Sequence, residues 1–330
     1  MDASNKTPLL VFAAIVAIYG VFGWLDVANY AQGGWNTAPD NTVTEVLAGS
    51  PAEAGGLQAG DKLISLGGIA MSDAKAQAER GRPEVGETWE FVVERDGATV
   101  SLDVTFGKMV PRRAFLAHAG FLVGFCLIIF PLRAYMQKQT ESIHALALAG
   151  IMFSLAFLSG PYFADLTLRQ IDSAIGVLLI WLGIATLLNF LLTHLRSGGN
   201  RLLYVPGVVV GLFIVWRILA TPEATPALNN LNNILVGVGA AFYLIASLVT
   251  VYRGYSGATA SERESRGLQL MLIGAVIGFL PPIVSVIANV IAPTTVLPGQ
   301  AFYFLSFIAI PITWSMAVLK GSDASAESSD

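Results

Sequence analysis

The side chains best suited to metal or covalent chemistry are few and scattered. His118, His144 and His194 lie far apart. None belongs to a His-Glu-x-x-His stretch, which would set two zinc ligands one helical turn apart beside a carboxylate base. Ser142-Ile143-His144 does not begin one. Cys126 is the single cysteine, so the chain can build neither an internal disulfide nor a thiolate metal centre. A helix-borne Gly-x-Ser-x nucleophile with a histidine partner is not formed by Leu158-Ser159-Gly160 either. His144 and His194 read as interfacial histidines hydrogen-bonded to backbone rather than as haem or metal ligands. The expectation is a protein that is not an enzyme, with no cofactor and no metal.

The elements around these residues are those of a membrane protein. The chain has 330 residues, 54% hydrophobic and 13% charged, with mean hydropathy +0.64. Soluble domains carry about 25% charged residues. A net charge of −4 gives no footing for nucleic acid. An apolar run from Pro8 to Val27 is long enough to span and lacks a cleavage site, so residues 1–27 are expected to be a retained N-terminal anchor. Seven more runs follow: Ala114–Leu132, His144–Ala164, Ile171–Thr193, Leu202–Ala220, Asn233–Tyr252, Gly267–Ile291 and Gln300–Leu319. The fold class expected is a mainly α bundle of about eight transmembrane helices, seven of them within 114–320, with a small α+β domain inserted at 36–107. Residues 321–330 are acidic and polar and read as disordered.

Lys and Arg set the orientation. Arg133, Lys138, Arg196, Arg201, Arg253, Arg263, Arg266 and Lys320 fall in alternate loops, whereas the short opposite loops carry only Arg169. The positive-inside rule then places both termini in the cytoplasm of a bacterial inner (plasma) membrane and the small domain outside. Its tethers, Ala28–Trp35 and Lys108–Arg113, are short enough to hold it at the membrane surface.

Within 36–107 the pattern changes to alternation. Thr42–Leu47, Lys62–Leu66 and Trp89–Glu94 read as strands, and Asp96-Gly97 makes a hairpin turn into Thr99–Val104. Ser50 suits the cap of a short helix beginning at Pro51, and Gly56 its left-handed end. Ser72–Arg80 reads as a surface helix capped by Ser72. Ser50-Pro51-Ala52, Gly56-Leu57, Gly60-Asp61 and Gly68 together resemble the central stretch of a bacterial PDZ domain. That resemblance implies binding of an extended protein or peptide beside a helix. The implied peptide-binding residues are Gly33, Gly34, Trp35 and Asn36 from the preceding loop, and Ser72, Asp73, Ala76 and Gln77 from the helix. A structural PDZ fold that merely docks on its own bundle is the competing reading.

The order of one helix, an outer PDZ-like domain and a bundle is similar to the sensor half of ComP-like bacterial histidine kinases. Phe130-Pro131, Arg201–Pro206, Glu264–Pro281 and Ile308–Lys320 resemble segments of that family, without a kinase. The resemblance implies signal transduction: a non-catalytic membrane sensor or scaffold, with an accessory subunit of a membrane complex as alternative. The implied partners are an extracytoplasmic protein or peptide, the lipid bilayer and a separate cytoplasmic output protein. Gly120-x-x-x-Gly124, Gly207-x-x-x-Gly211 and Gly274-x-x-x-Gly278 suit close helix packing, within the bundle or in a homodimer. Arg217, inside a span, is expected to snorkel or to meet a buried partner. Pro281-Pro282 is expected to break its helix midway.

Overall fold

The computed structural model describes residues 6–196, 200–221, 225–292 and 297–327. The chain is mainly helical, and seven described helices are long and apolar enough to cross a membrane. Helix α1 (Lys6–Asp26) leads to a small α+β domain. There β1 (Ala31–Gln32), β2 (Trp35–Thr37), β3 (Val43–Val46), α2 (Pro51–Ala54), β4 (Lys62–Leu66), β5 (Ile69–Ala70), α3 (Ala74–Arg80), β6 (Thr88–Arg95), β7 (Ala98–Thr105) and β8 (Gly107–Lys108) follow in order. A four-stranded antiparallel sheet β5-β4-β6-β7 is flanked by the pairs β2-β3 and β1-β8. The β1-β8 pair joins the domain's first and last strands, so both tethers leave from one place.

The local signals are met. Ser50 accepts a hydrogen bond from Glu53 N, and Gly56 has φ +84°. Asp96 and Gly97 take φ +52° and +77°, the left-handed pair that a two-residue hairpin needs. One cap differs: Asp73, not Ser72, accepts from Ala76 N and starts α3 one residue later. The domain core is Val43, Ala52, Leu57, Leu63, Leu66, Trp89, Phe91, Val93, Val104 and Phe106. At its edge Asp61, 1% exposed, receives Arg95 through two hydrogen bonds of 2.7 Å. Burial alone would raise the Asp61 carboxyl. The Arg95 guanidinium and the Gln58 N–H outweigh it and hold the group below the usual carboxylate range.

The membrane helices are α4 (Pro111–Gln137), α5 (Glu141–Ser154), α6 (Leu166–Arg196), α7 (Tyr204–Ala220), α8 (Pro226–Ser256), α10 (Leu268–Ile291) and α11 (Ala309–Glu327), with short α9 (Ala260–Ser265) before α10 and a 3-10 segment Gln300–Ile308 before α11. The expected span His144–Ala164 is corrected: α5 has only 14 residues. Its continuation to Tyr162 still reaches the end of the bundle that carries the small domain, because Arg82 of that domain donates to the Tyr162 hydroxyl. The helix ends at Ser154, and the chain runs on without helix through Ser159-Gly160-Pro161. Non-helical backbone survives at this depth because protein surrounds it: a Cβ on Gly23 would stand 1.8 Å from Ser159 O, and one on Gly160 2.0 Å from the Tyr19 ring.

Pro281 and Pro282 lie inside a continuous α10, correcting the expected break. The glycine motifs mostly face inward. A Cβ on Gly274 would meet Thr313 Oγ1 at 1.8 Å, and one on Gly278 or Gly124 would meet Ile310 or Leu158 at 2.5 or 2.6 Å. Such contacts require hydrogen, so these faces pack within the bundle. Helix α11 runs on to Glu327, through part of the stretch expected to be disordered, and residues 328–330 lie outside the described residues.

Candidate peptide groove at the membrane surface

The groove lies between the chain entering the domain and helix α3. Gln32, Gly33, Gly34 and Trp35 form one wall, and Gln77, Arg80 and Gly81 the other. Leu66, Trp89 and Phe106 lie beneath, and Arg113 closes one end. Two glycines shape the wall. A Cβ on Gly33 would stand 1.7 Å from the Trp35 ring, and Gly34, at φ +87°, would bring one to 2.2 Å from Ser50 Cβ. Trp35 is then free to pack edge-on to Phe91 at 5.0 Å, which ties the wall to the core.

The opposite wall is held by an amide and a guanidinium. Gln77 Nε2 donates to Ile69 O at 2.8 Å. Arg80 donates to Gln77 Oε1 at 2.6 Å and to Leu66 O, and its guanidinium sits 3.5 Å above the Trp89 ring. Burial lowers the Arg80 pKa from its ordinary value, yet a guanidinium stays charged at neutral pH. The groove thus offers an apolar floor and a cation, which suits an extended peptide with a carboxylate or a polar end.

Among the residues expected from sequence, Gly33, Gly34, Trp35 and Gln77 come together here. Asn36 points elsewhere, accepting from Arg113 at 2.5 Å and donating to Glu45 at 2.9 Å. Ser72 and Asp73 line a separate hollow with Ala74 and Thr221, and Ala76 contributes its N–H to the Asp73 cap. Sequence reasoning missed Gln32, Arg80, Trp89 and Arg113. Arg80 was within reach, standing one turn from Gln77 on the same helix face.

The domain is bound to the bundle by charged side chains. Arg82 makes a two-point ion pair with Asp26 at 2.9 and 3.2 Å and lies over the rings of Tyr30 and Tyr162. Arg169 donates to Ala78 O at 2.9 Å, and Arg113 to Trp35 O at 2.7 Å. Arg217 neither points to water alone nor meets a carboxylate among the described residues. It donates to Asn229, whose amide reaches Pro39 O of the small domain. Gln32 belongs both to the groove and to an apolar cavity of about 730 Å³ among the helices.

A PDZ domain family profile matches residues 42–88. Over 84 residues the chain is 42% identical to a protein of Ectopseudomonas mendocina (strain ymp) named as a DegP-like periplasmic serine endoprotease, covering 25% of this chain and 18% of that one. Over 242 residues it is 24% identical to a protein of Staphylococcus aureus (strain COL) named as a zinc metalloprotease, covering 68% of this chain and 53% of that one. The chain therefore spans about half, or less, of the length of the curated relatives it matches. No solved structure matches it. These likenesses overturn two expectations from sequence, the non-catalytic sensor or scaffold and the absence of enzymatic function, because both relatives are named as proteases.

The zinc that the second likeness implies does not fit the side chains present. Among the described residues no three His, Cys, Asp or Glu side chains converge. His118 accepts from Trp24 Nε1 at 2.6 Å, His144 packs on Tyr135, and His194 stacks on Phe190. What is plain is a membrane protein that joins a PDZ domain, a fold that binds protein or peptide, to a bundle of apolar helices.

Proposed function

We propose that this chain works in membrane-linked proteolysis, with the groove between Gln32–Trp35 and Gln77–Gly81 receiving the polypeptide that is to be cut. The observation that carries the reading is the position of the groove: Arg82–Asp26, Arg113–Trp35 and Arg169–Ala78 fix it at the mouth of the helix bundle. A polypeptide held there lies at the membrane surface, where the segment next to a transmembrane helix runs. The similarity to two proteins named as proteases supports the same reading. No step is assigned to a metal, since no ligand set gathers among the described residues.

In this reading residues 1–27 anchor the chain, 36–107 form the extracytoplasmic unit and 114–320 the membrane bundle. The Lys- and Arg-bearing loops, at the end of the bundle away from the PDZ domain, face the cytoplasm. The test is turnover. Half-lives of single-span reporters with extracytoplasmic C-terminal tails are compared in cells carrying the wild-type chain, no chain, or Gln77→Trp, which fills the groove. Faster turnover with the wild type than with either of the others supports the reading; equal half-lives in all three refute it.

A further inference from the structure

A second cavity, of about 610 Å³, adjoins the apolar one and differs from it in chemistry. Arg112, Arg217, Asn232, Asn233, Asn289 and Gln300 contribute to its walls. The apolar cavity, of about 730 Å³, is lined by Phe121, Phe157, Trp181, Leu244 and Phe307 among others. Ala301 and Phe304 line both, so a polar space and an apolar one meet at these two residues. Each lies within the about 300–1,000 Å³ range of ligand sites.

The polar space is built and partly unfilled. Gln300 donates to Ser285 and Asn289 at 3.0 and 2.7 Å, and Asn233 to Asn289 O at 3.1 Å, which fixes three amides in place. The Asn232 side chain has no hydrogen-bond partner among the described residues, and Arg217 has no carboxylate within ion-pair distance among them. Glu45, the carboxylate on these walls, is paired with Arg112 at 3.0 Å. That balance leaves Arg217 as a cation without a carboxylate partner among the described residues, beside amide donors, at the end of the bundle where helices meet the small domain. A phosphate or similar anion matches guanidinium and amide donors.

We propose that these two spaces bind one anionic phospholipid, its head among Arg217, Asn232 and Asn233 and an acyl chain in the apolar cavity past Ala301 and Phe304. The full chain is placed in bilayer discs of equal phosphatidylcholine and phosphatidylglycerol, and the lipid retained on gentle release is counted by native mass spectrometry. The wild type is expected to keep one phosphatidylglycerol per chain. Arg217→Gln is expected to lower its enrichment over phosphatidylcholine about tenfold, and Ala301→Trp to abolish retention. Ala241→Trp, in a hollow that touches the apolar cavity only at Val286, is expected to change nothing.

Equal retention of the two lipids, retention unchanged in Ala301→Trp, or an acylated peptide in place of lipid overturns the proposal. Should Ala301→Trp fail to insert, Arg217→Gln and Asn232→Leu decide between them, and unchanged enrichment in both overturns it.

Discussion

Removing the Arg82 side chain should loosen the PDZ domain from the bundle without unfolding either. Arg82 is 25% exposed and its partner Asp26 18%, so the pair is only partly screened by water. An ion pair of this kind with two hydrogen bonds contributes about 1–1.5 kcal/mol once screening is counted. The two cation–π contacts, at 4.7 Å to Tyr30 and 4.1 Å to Tyr162, add about 0.5–1 kcal/mol each. Arg82→Ala should therefore cost docking about 2–3.5 kcal/mol, a roughly 30- to 400-fold rise in the undocked population. The backbone N–H of position 82 reports this directly, since it donates to the Tyr162 hydroxyl at 3.1 Å across the junction. Hydrogen exchange of the full chain in bilayer discs should show that amide exchanging faster by the same factor, while Phe91 and Val93 in the domain core keep their protection. Exchange at position 82 unchanged by the substitution would refute the reasoning, and so would equal acceleration in the core.

Other consequences follow from particular contacts. Asp61→Asn should cost the PDZ domain about 1–3 kcal/mol, because Arg95 loses its buried carboxylate. The folded pKa of Asp61 is lowered, so its contribution is present above the unfolded value of about 4 and disappears as pH falls through the folded value. The acid limb of a pulse-proteolysis stability profile should flatten in the variant. Gly274→Ala should destabilise the bundle by about 1–3 kcal/mol through overpacking against Thr313, whereas Gly176→Ala, with open space around it, should not; thermal unfolding in detergent compares the two. Added zinc should leave the unfolding temperature unchanged and bind at less than one ion per chain by elemental analysis, given the absence of a ligand cluster among the described residues.

Much of this fold is legible in the sequence because its determinants are local. Ser50-Pro51, Gly56 and Asp96-Gly97 state their turns and caps residue by residue, and apolar runs of about 20 residues state the spans. The short α5 was hidden because His144–Ala164 is as apolar as its neighbours. Only the packing of Gly23, Gly160 and Tyr19 around Ser159 reveals why helix is not needed to its end. The groove was half legible. Gly33, Gly34, Trp35 and Gln77, expected from the PDZ resemblance, line one hollow, but Ser72 and Asp73 turn toward Thr221, and Asn36 toward Arg113. Arg113 enters the groove only through the docking of the domain on the bundle, and Gln32 through the β1-β8 pairing, tertiary events with no local signature. The expectation of a sensor failed because it rested on the order of segments, which several kinds of membrane protein share.

The most direct test of the central claim places a photocrosslinking residue at position 77, and in parallel at position 72, in cells producing a single-span reporter. Proteolysis of the reporter is followed in the same samples. Crosslinks from position 77 to the reporter's extracytoplasmic tail, few from position 72, and slower reporter cleavage as crosslinking proceeds are the predicted result. Equal capture from both positions, or capture with no change in cleavage, would contradict a groove that receives polypeptides for proteolysis.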